Sequence, residues 1–228
     1  DGFDARTAKI GIVGLGYVGL PLILRFVEEG FKVLGFDVDQ SKVDALNDGK
    51  SYIAHLPSEK VAHAISVGFE STVDMSRVDE VDAVIICVPT PLGSHREPDL
   101  SYVLGTAESI APHLRSGQLV SLESTTYPGT TEDELVPIFE KHGLEVGKSI
   151  FVAYSPERED PANESFSIKT IPKVCGGVSN ACRDVVCALY STIIDKVVPV
   201  IMIEVIFVDI DRNRSLTTGI SAGLADSA

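Results

Sequence analysis

The sequence has no surplus of positive charge. Its 19 lysines and arginines stand against 33 aspartates and glutamates, a net charge of −14 over 228 residues. Such a chain lacks the long-range positive field that draws nucleic acid or an anionic membrane, so neither is expected as a partner. A phosphorylated ligand would have to be held by locally aimed backbone N–H groups. Paired cysteines are also missing: Cys87, Cys175, Cys182 and Cys187 make no C-x-x-C spacing, and no metal site is expected. No signal-peptide pattern is visible, so the thiols are expected to be reduced and the protein cytoplasmic. Long apolar runs are absent too. The longest, Val197 to Val208, is broken by Pro199 and Glu204 and falls short of the roughly 20 residues that a membrane helix needs. There is no internal repeat and no low-complexity segment.

What is present is an apolar content of 44%, enough for one large α/β domain or one domain plus a fragment. Short β-branched runs alternate with helical stretches. "KIGIV" (9–13), "KVLGFD" (32–37), residues 69–72, "AVIICV" (83–88), "QLVSL" (118–122), "SIFVAY" (149–154) and "PKVCGG" (172–177) read as strands. Residues 17–30, 41–49, 58–67, 99–114, 131–143 and 180–193 read as helices. Two capping boxes are expected, Ser41 with Asp44 and Thr131 with Glu134. Strands that are apolar throughout and alternate with helices mark a parallel sheet covered on both faces. The expected fold is therefore α/β, a doubly wound parallel sheet of the Rossmann type over residues 1–200. Residues 201–228 shift to a polar, small-residue composition from about 211 onwards and read as a divergent tail.

"GIVGLGYVG" carries Gly14-x-Gly16-x-x-Gly19 between a strand and a helix. Each glycine has its own task. Gly14 permits the tight turn, Gly16 lets a pyrophosphate approach bare backbone, and Gly19 lets helix and strand pack closely. Tyr17 and Val18, between the last two, belong to the same phosphate turn. Asp37 ends the next strand, where a carboxylate accepts from the hydroxyls of an adenosine ribose and repels a 2′-phosphate. The cofactor expected is NAD rather than NADP. Lys42 could reach the adenosine-side phosphate or ribose, or lie on a solvated helix face. The alternative for the whole motif is a helix packed on a strand through glycines with no ligand.

The segments "GIVGLGYVGLPL", "GFDVDQSKVDALNDG", "ICVPTPL", "EPDLSYV", "ESTTYPGTTEDEL" and "YSPERED" stand in the order found in the nucleotide-sugar 6-dehydrogenases. Over about residues 8 to 200 the chain resembles that family. The wording "REPDLSYV", "SPERED" and "IPKVCGG" is most similar to bacterial UDP-N-acetylglucosamine 6-dehydrogenases, which supply uronic acids for surface polysaccharides. The alternatives for the sugar are UDP-glucose, UDP-N-acetylmannosamine and GDP-mannose. The resemblance implies oxidation of a C6 alcohol to the acid with two NAD+, and a homodimer for a full-length enzyme. It implies that Thr125 faces the nicotinamide and helps to position a catalytic water. It implies that Glu157 acts on that water or as a base. Arg158, next to it, could pair with substrate or with neighbouring acids. Val88, Pro89 and Thr90 would pack against adenine and ribose, with Thr90 as the polar contact.

The resemblance stops near residue 200. The family's lysine- and asparagine-bearing helix and its Gly-Gly-x-Cys nucleophile have no counterpart in this sequence. Cys175 precedes its glycines and sits on an expected strand, and the other three cysteines read as small buried apolar residues. Two readings follow. Either the chain is the cofactor half of a dehydrogenase, with residues 201–228 a truncated start of the central region, or it is a stand-alone NAD-binding module without catalysis. A Rossmann dehydrogenase of the hydroxyacid type is a third reading, opposed by "STTYPGTT" and "SPERED".

Overall fold

The computed structural model describes residues 2–92, 98–156 and 169–200. Eight strands form one sheet: β1 (Lys9–Val13), β2 (Lys32–Phe36), β3 (Phe69–Thr72), β4 (Ala83–Ile86), β5 (Leu119–Leu122), β6 (Phe151–Tyr154), β7 (Lys173–Gly177) and β8 (Val197–Val200). Their spatial order is β3-β2-β1-β4-β5-β6-β7-β8. The helices are α1 (Gly19–Glu28), α2 (Gln40–Asn47), α3 (Ser58–Val67), α4 (Ser101–Ile110), α5 (Val136–Lys141) and α6 (Asn180–Tyr190).

The strands are apolar throughout because both sheet faces are covered. On β4, Ala83 and Ile85 join the core under α1, α3 and α6, whereas Val84 and Ile86 join the core under α4 and α5. Alternate side chains point to opposite faces, so a strand between two helical layers needs no polar side. Phe26 on α1 and Phe139 on α5, both fully buried, anchor the two layers. Each such ring stabilises the fold by about 1.5–3 kcal/mol relative to exposure. This is the doubly wound sheet that the alternating pattern predicts.

Several local expectations are corrected. The sheet is parallel except at one junction, where β7 runs antiparallel to β6, pairing Tyr154 with Gly176. β8 was not expected as a strand; it pairs with β7 in parallel. Pro199 is tolerated there because β8 is the last strand of the sheet, where an edge needs no donor. Ser41 does not cap α2. Asp39 does, its carboxylate accepting from the Ser41 amide (2.9 Å) and hydroxyl (2.6 Å). Asp39 is the last extended residue, so its side chain lies nearest the free amides. The Thr131–Glu134 box is absent as well. Residues Thr130–Leu135 wind as a π-helix behind left-handed Gly129 (φ 89°), with no side-chain cap. Glu134 instead accepts from the Tyr127 hydroxyl (3.2 Å), and Thr130 donates to the Tyr127 carbonyl (2.8 Å). The tail 201–228 lies outside the described residues.

Candidate functional site

The C-terminal ends of β1, β2, β4 and β5 open onto one crevice of about 900 Å3. Crossing the sheet in the order β2, β1, β4, β5, its floor runs from Asp37, over the glycine turn, past Val88 to Ser124 and Thr125. Helix α4 supplies the outer wall through Tyr102, Gly105 and Ser109. Ligands of open α/β sheets bind at this edge, where connections leave in opposite directions.

The glycine turn is built for three different constraints. Gly14 has φ +95°, and a Cβ on it would lie 2.7 Å from the Cys87 carbonyl. A Cβ on Gly19 would lie 1.9 Å from the Gly14 carbonyl oxygen, so α1 could not sit where it does. A Cβ on Gly16 would meet nothing within 4 Å. Packing within the protein therefore gives no reason for glycine at position 16. No side chain caps α1, whose first turn also carries no acid. Its orphan amides and the positive end of its dipole are left for an anion.

Asp37 does more than end a strand. It is 6% exposed. Its Oδ2 accepts from the Leu15 amide (2.9 Å) and its Oδ1 from the Asp39 amide (3.0 Å). The carboxylate thus holds the glycine turn to the end of β2 and keeps lone pairs for a ligand, since an ionised carboxylate has about four acceptor sites. Lys42 places its Nζ 3.4 Å from Asp37 Oδ2 at the crevice wall. From the outer side, Tyr52 donates its hydroxyl to the Leu15 carbonyl and Tyr17 stacks on His55 (6.1 Å between centroids). Burial first, then the charges of Asp37 and Asp39, hold the Tyr52 phenol above its ordinary range, so it remains a donor.

The hydroxyls that follow β5 are sorted by the fold. Ser124 donates to the Val88 carbonyl (2.5 Å) and ties the β5 loop to the β4 loop. Thr126 and Thr130 are buried. Thr125 is exposed at the crevice. Gly14, Gly16, Tyr17, Val18, Asp37, Lys42, Val88, Pro89, Thr90 and Thr125 all line the crevice, whereas Gly19 packs beneath it. Glu157 and Arg158 lie outside the described residues. Sequence reasoning missed Met75, Val38 and Tyr102 as wall residues and Glu123 as a buried one. The exposure of Val38 (88%) and Tyr102 (52%) is visible only once the chain is folded.

Cys87, Cys175 and Cys182 are buried as small core residues, whereas Cys187, expected to be buried, is only partly so because it lies at the margin of the core that α6 covers. Burial pushes the Cys175 thiol up to about 12, and burial likewise raises Cys187. A thiol held protonated is a poor nucleophile. At pH 8 Cys175 is expected to resist iodoacetamide until the chain is unfolded. Rapid alkylation of Cys175 in the native protein, read by peptide mass spectrometry, would contradict its placement. Among the described residues, no cluster of three or more His, Cys, Asp or Glu side chains is arranged to hold a metal ion. No described helix is long and apolar enough to cross a membrane.

Comparison with known proteins agrees with this geometry. The family model described as the UDP-glucose/GDP-mannose dehydrogenase family, NAD binding domain, matches residues 8–194. UDP-N-acetyl-D-glucosamine 6-dehydrogenase of Pseudomonas aeruginosa is 36% identical over 190 residues, covering 83% of this chain and 44% of that enzyme. UDP-N-acetyl-D-mannosamine dehydrogenase of Escherichia coli K12 is 35% identical over 198 residues, covering 82% and 46%. Among solved structures, the NDP-N-acetyl-D-galactosaminuronic acid dehydrogenase of Methanosarcina mazei Go1 superposes with a TM-score of 0.79 at 32% identity, over 86% of this chain and 44% of that one. The chain thus spans less than half the length of these relatives. With the glycine turn, the carboxylate at the end of β2 and the crevice between them, it belongs to the UDP-glucose/GDP-mannose dehydrogenase family, of which residues 8–194 are the NAD-binding domain.

Proposed function

We propose that this chain is the cofactor half of an NAD-dependent nucleotide-sugar 6-dehydrogenase, acting on the C6 alcohol of a UDP-sugar, with UDP-N-acetylglucosamine the best candidate. UDP-glucose, UDP-N-acetylmannosamine and GDP-mannose remain the competing substrates. The observation that carries the cofactor reading is Gly16, a glycine with open space where its Cβ would be. NAD+ bound here supplies the hydride acceptor for oxidation of the alcohol and then of the aldehyde.

The chain's own residues divide the binding work. Asp37 accepts from the adenosine ribose while still anchoring the Leu15 amide. The amides around Gly16, Tyr17 and Val18 face the pyrophosphate at the start of α1. Lys42 stands beside Asp37 to meet the phosphate or ribose. Val88, Pro89 and Thr90 form the floor under the adenosine side, and Thr125 stands at the nicotinamide end. Glu157 as the group acting on water and a homodimer for the full-length enzyme are carried by the family resemblance; Arg158 is placed beside them as a contact for substrate or for neighbouring acids. A stand-alone NAD-binding module is the second reading.

Calorimetric titration of the purified chain is the test. Saturable 1:1 binding of NAD+ is expected, with NADP+ weaker by about tenfold or more because a 2′-phosphate would face Asp37. Little or no NADH is expected on adding UDP-N-acetylglucosamine. Absence of NAD+ binding would overturn the cofactor reading, and brisk NADH formation would overturn the division of labour. Asp37→Ala is expected to cost about 1–3 kcal/mol of NAD+ affinity, since it removes the ribose acceptor and frees the Leu15 amide. Unchanged affinity would remove Asp37 from the site.

A further inference from the structure

Strands β4 and β5 are paired as far as Ile86 and Leu122, and the Glu123 amide donates to the Ile86 carbonyl (2.9 Å) just beyond. Past that point the ladder no longer holds the two chains at the spacing of a sheet, about 4.8 Å, and they are free to splay. Ser124 ties them again. Its Oγ donates to the Val88 carbonyl (2.5 Å), a bond between segments 36 residues apart. Both residues line the crevice. A serine hydroxyl commonly bonds a carbonyl of its own segment, as Ser109 does with Gly105 (2.7 Å) on α4. The Ser124 hydroxyl crosses to the neighbouring loop instead.

Thr125, next in the chain, is exposed at the crevice between two buried neighbours, Ser124 and Thr126. The backbone on either side of it is fixed. On the side of β7 and α6, buried Glu123 accepts from Lys173 Nζ (2.7 Å) and from the Tyr190 hydroxyl. On the side of β4, Ser124 holds Val88. Further along, the Tyr127 carbonyl accepts from the Thr130 hydroxyl (2.8 Å). The β4 loop has supports of its own. The Cys87 amide donates to the Val13 carbonyl (2.7 Å), and the Asp99 amide donates to the Pro91 carbonyl (2.7 Å). Without the Ser124 hydroxyl the β4 loop would stay in place, and the backbone at Ser124 and Thr125 could move away from it.

We propose that Ser124 is a positioning residue for the cofactor: its bond to Val88 sets the gap between the β4 and β5 loops and thereby presents Thr125 to the nicotinamide end of the crevice. The proposal rests on the cofactor reading above. A dinucleotide lying across this floor meets Asp37, the glycine turn and Val88 to Thr90 with its adenosine and phosphates. It reaches Thr125 only with its nicotinamide half. The gap that Ser124 sets is therefore felt at one end of the ligand. Ser124 acts through Thr125 and needs no contact of its own with the cofactor. A loop held in place beforehand spares the ligand the cost of ordering it on binding.

The experiment compares two ligands on the full chain by calorimetry: NAD+, and ADP, which lacks the nicotinamide and its ribose. Ser124→Ala removes one oxygen and adds nothing. It is expected to weaken NAD+ by roughly three- to tenfold, with ADP unchanged within about twofold. Ser124→Cys keeps the size of the side chain but replaces the hydroxyl with a weaker donor. It should shift the ratio of the two affinities in the same direction by less, and it decides the matter should Ser124→Ala not fold. A ratio that stays at the wild-type value in the folded variants overturns the proposal, whether or not the melting temperature falls. So does parallel weakening of both ligands, which would mark the bond as a structural support. Wild-type protein that does not bind NAD+ overturns this proposal together with the cofactor reading. Wild-type binding of NAD+ with an unmoved ratio in the variants overturns this proposal alone.

Discussion

Gly16→Ala is expected to leave the domain folded and to remove tight NAD+ binding. The added methyl meets no protein atom within 4 Å, and Gly16 is not among the positive-φ glycines. Its effect on stability should therefore lie within about 0.5 kcal/mol, as for substitutions that touch nothing. The methyl would occupy the space a pyrophosphate needs to reach the amides at the start of α1. Loss of those contacts should weaken NAD+ by roughly 100-fold, or about 3 kcal/mol. Thermal unfolding by circular dichroism and calorimetric titration read the two halves separately. An alanine variant that binds NAD+ like the wild type would mean that the phosphates do not pass over Gly16.

Gly19→Ala is expected to do the reverse, harming the fold first. Its Cβ would stand 1.9 Å from the Gly14 carbonyl oxygen and 3.1 Å from the Gly14 carbonyl carbon. Both are backbone atoms, so no flexible side chain can swing away. Either α1 lifts off β1 or the turn opens, and the buried Leu20, Ile23 and Phe26 lose their packing. A cost of at least about 3 kcal/mol is expected, at the upper end of overpacking effects. Domains of this kind are stable by only about 5–15 kcal/mol, so a large share of the total is at risk. Urea unfolding measures it, and a midpoint equal to that of the wild type would show that the helix is not held where the structure places it. Each variant adds one methyl, at positions three apart, and the pair is expected to separate loss of ligand binding at Gly16 from loss of packing at Gly19.

Strands β1 to β7 were legible because their signal is local, whereas β8 was not expected. "AVIICV" is apolar on both sides of its backbone, and only a strand between two helical layers has a use for that. The glycine turn was legible for the same reason, since its spacing encodes a turn within six residues. Boundaries drifted where a cap was chosen by backbone geometry. Asp39, not Ser41, is the last extended residue before α2, and the Tyr127 hydroxyl had already engaged Glu134. The "ESTTYPGTTED" run held exposed and buried hydroxyls in one string. Only burial separates exposed Thr125 from Thr126 and Thr130 beneath it.

By itself the sequence determined the α/β class, the position of the phosphate turn, the acid that follows it and the kinship with nucleotide-sugar dehydrogenases. Each is written in neighbouring residues, where sterics and side-chain alternation act over a few bonds. The tertiary structure decided the direction of β7, the walls that α4 and Met75 give the crevice, and the meeting of Glu123 with Lys173 and Tyr190. Those partners are 50 and 67 residues apart in the chain. No local preference brings them together. Packing does, when a reversed strand carries a lysine to the edge where a buried carboxylate needs a counter-charge.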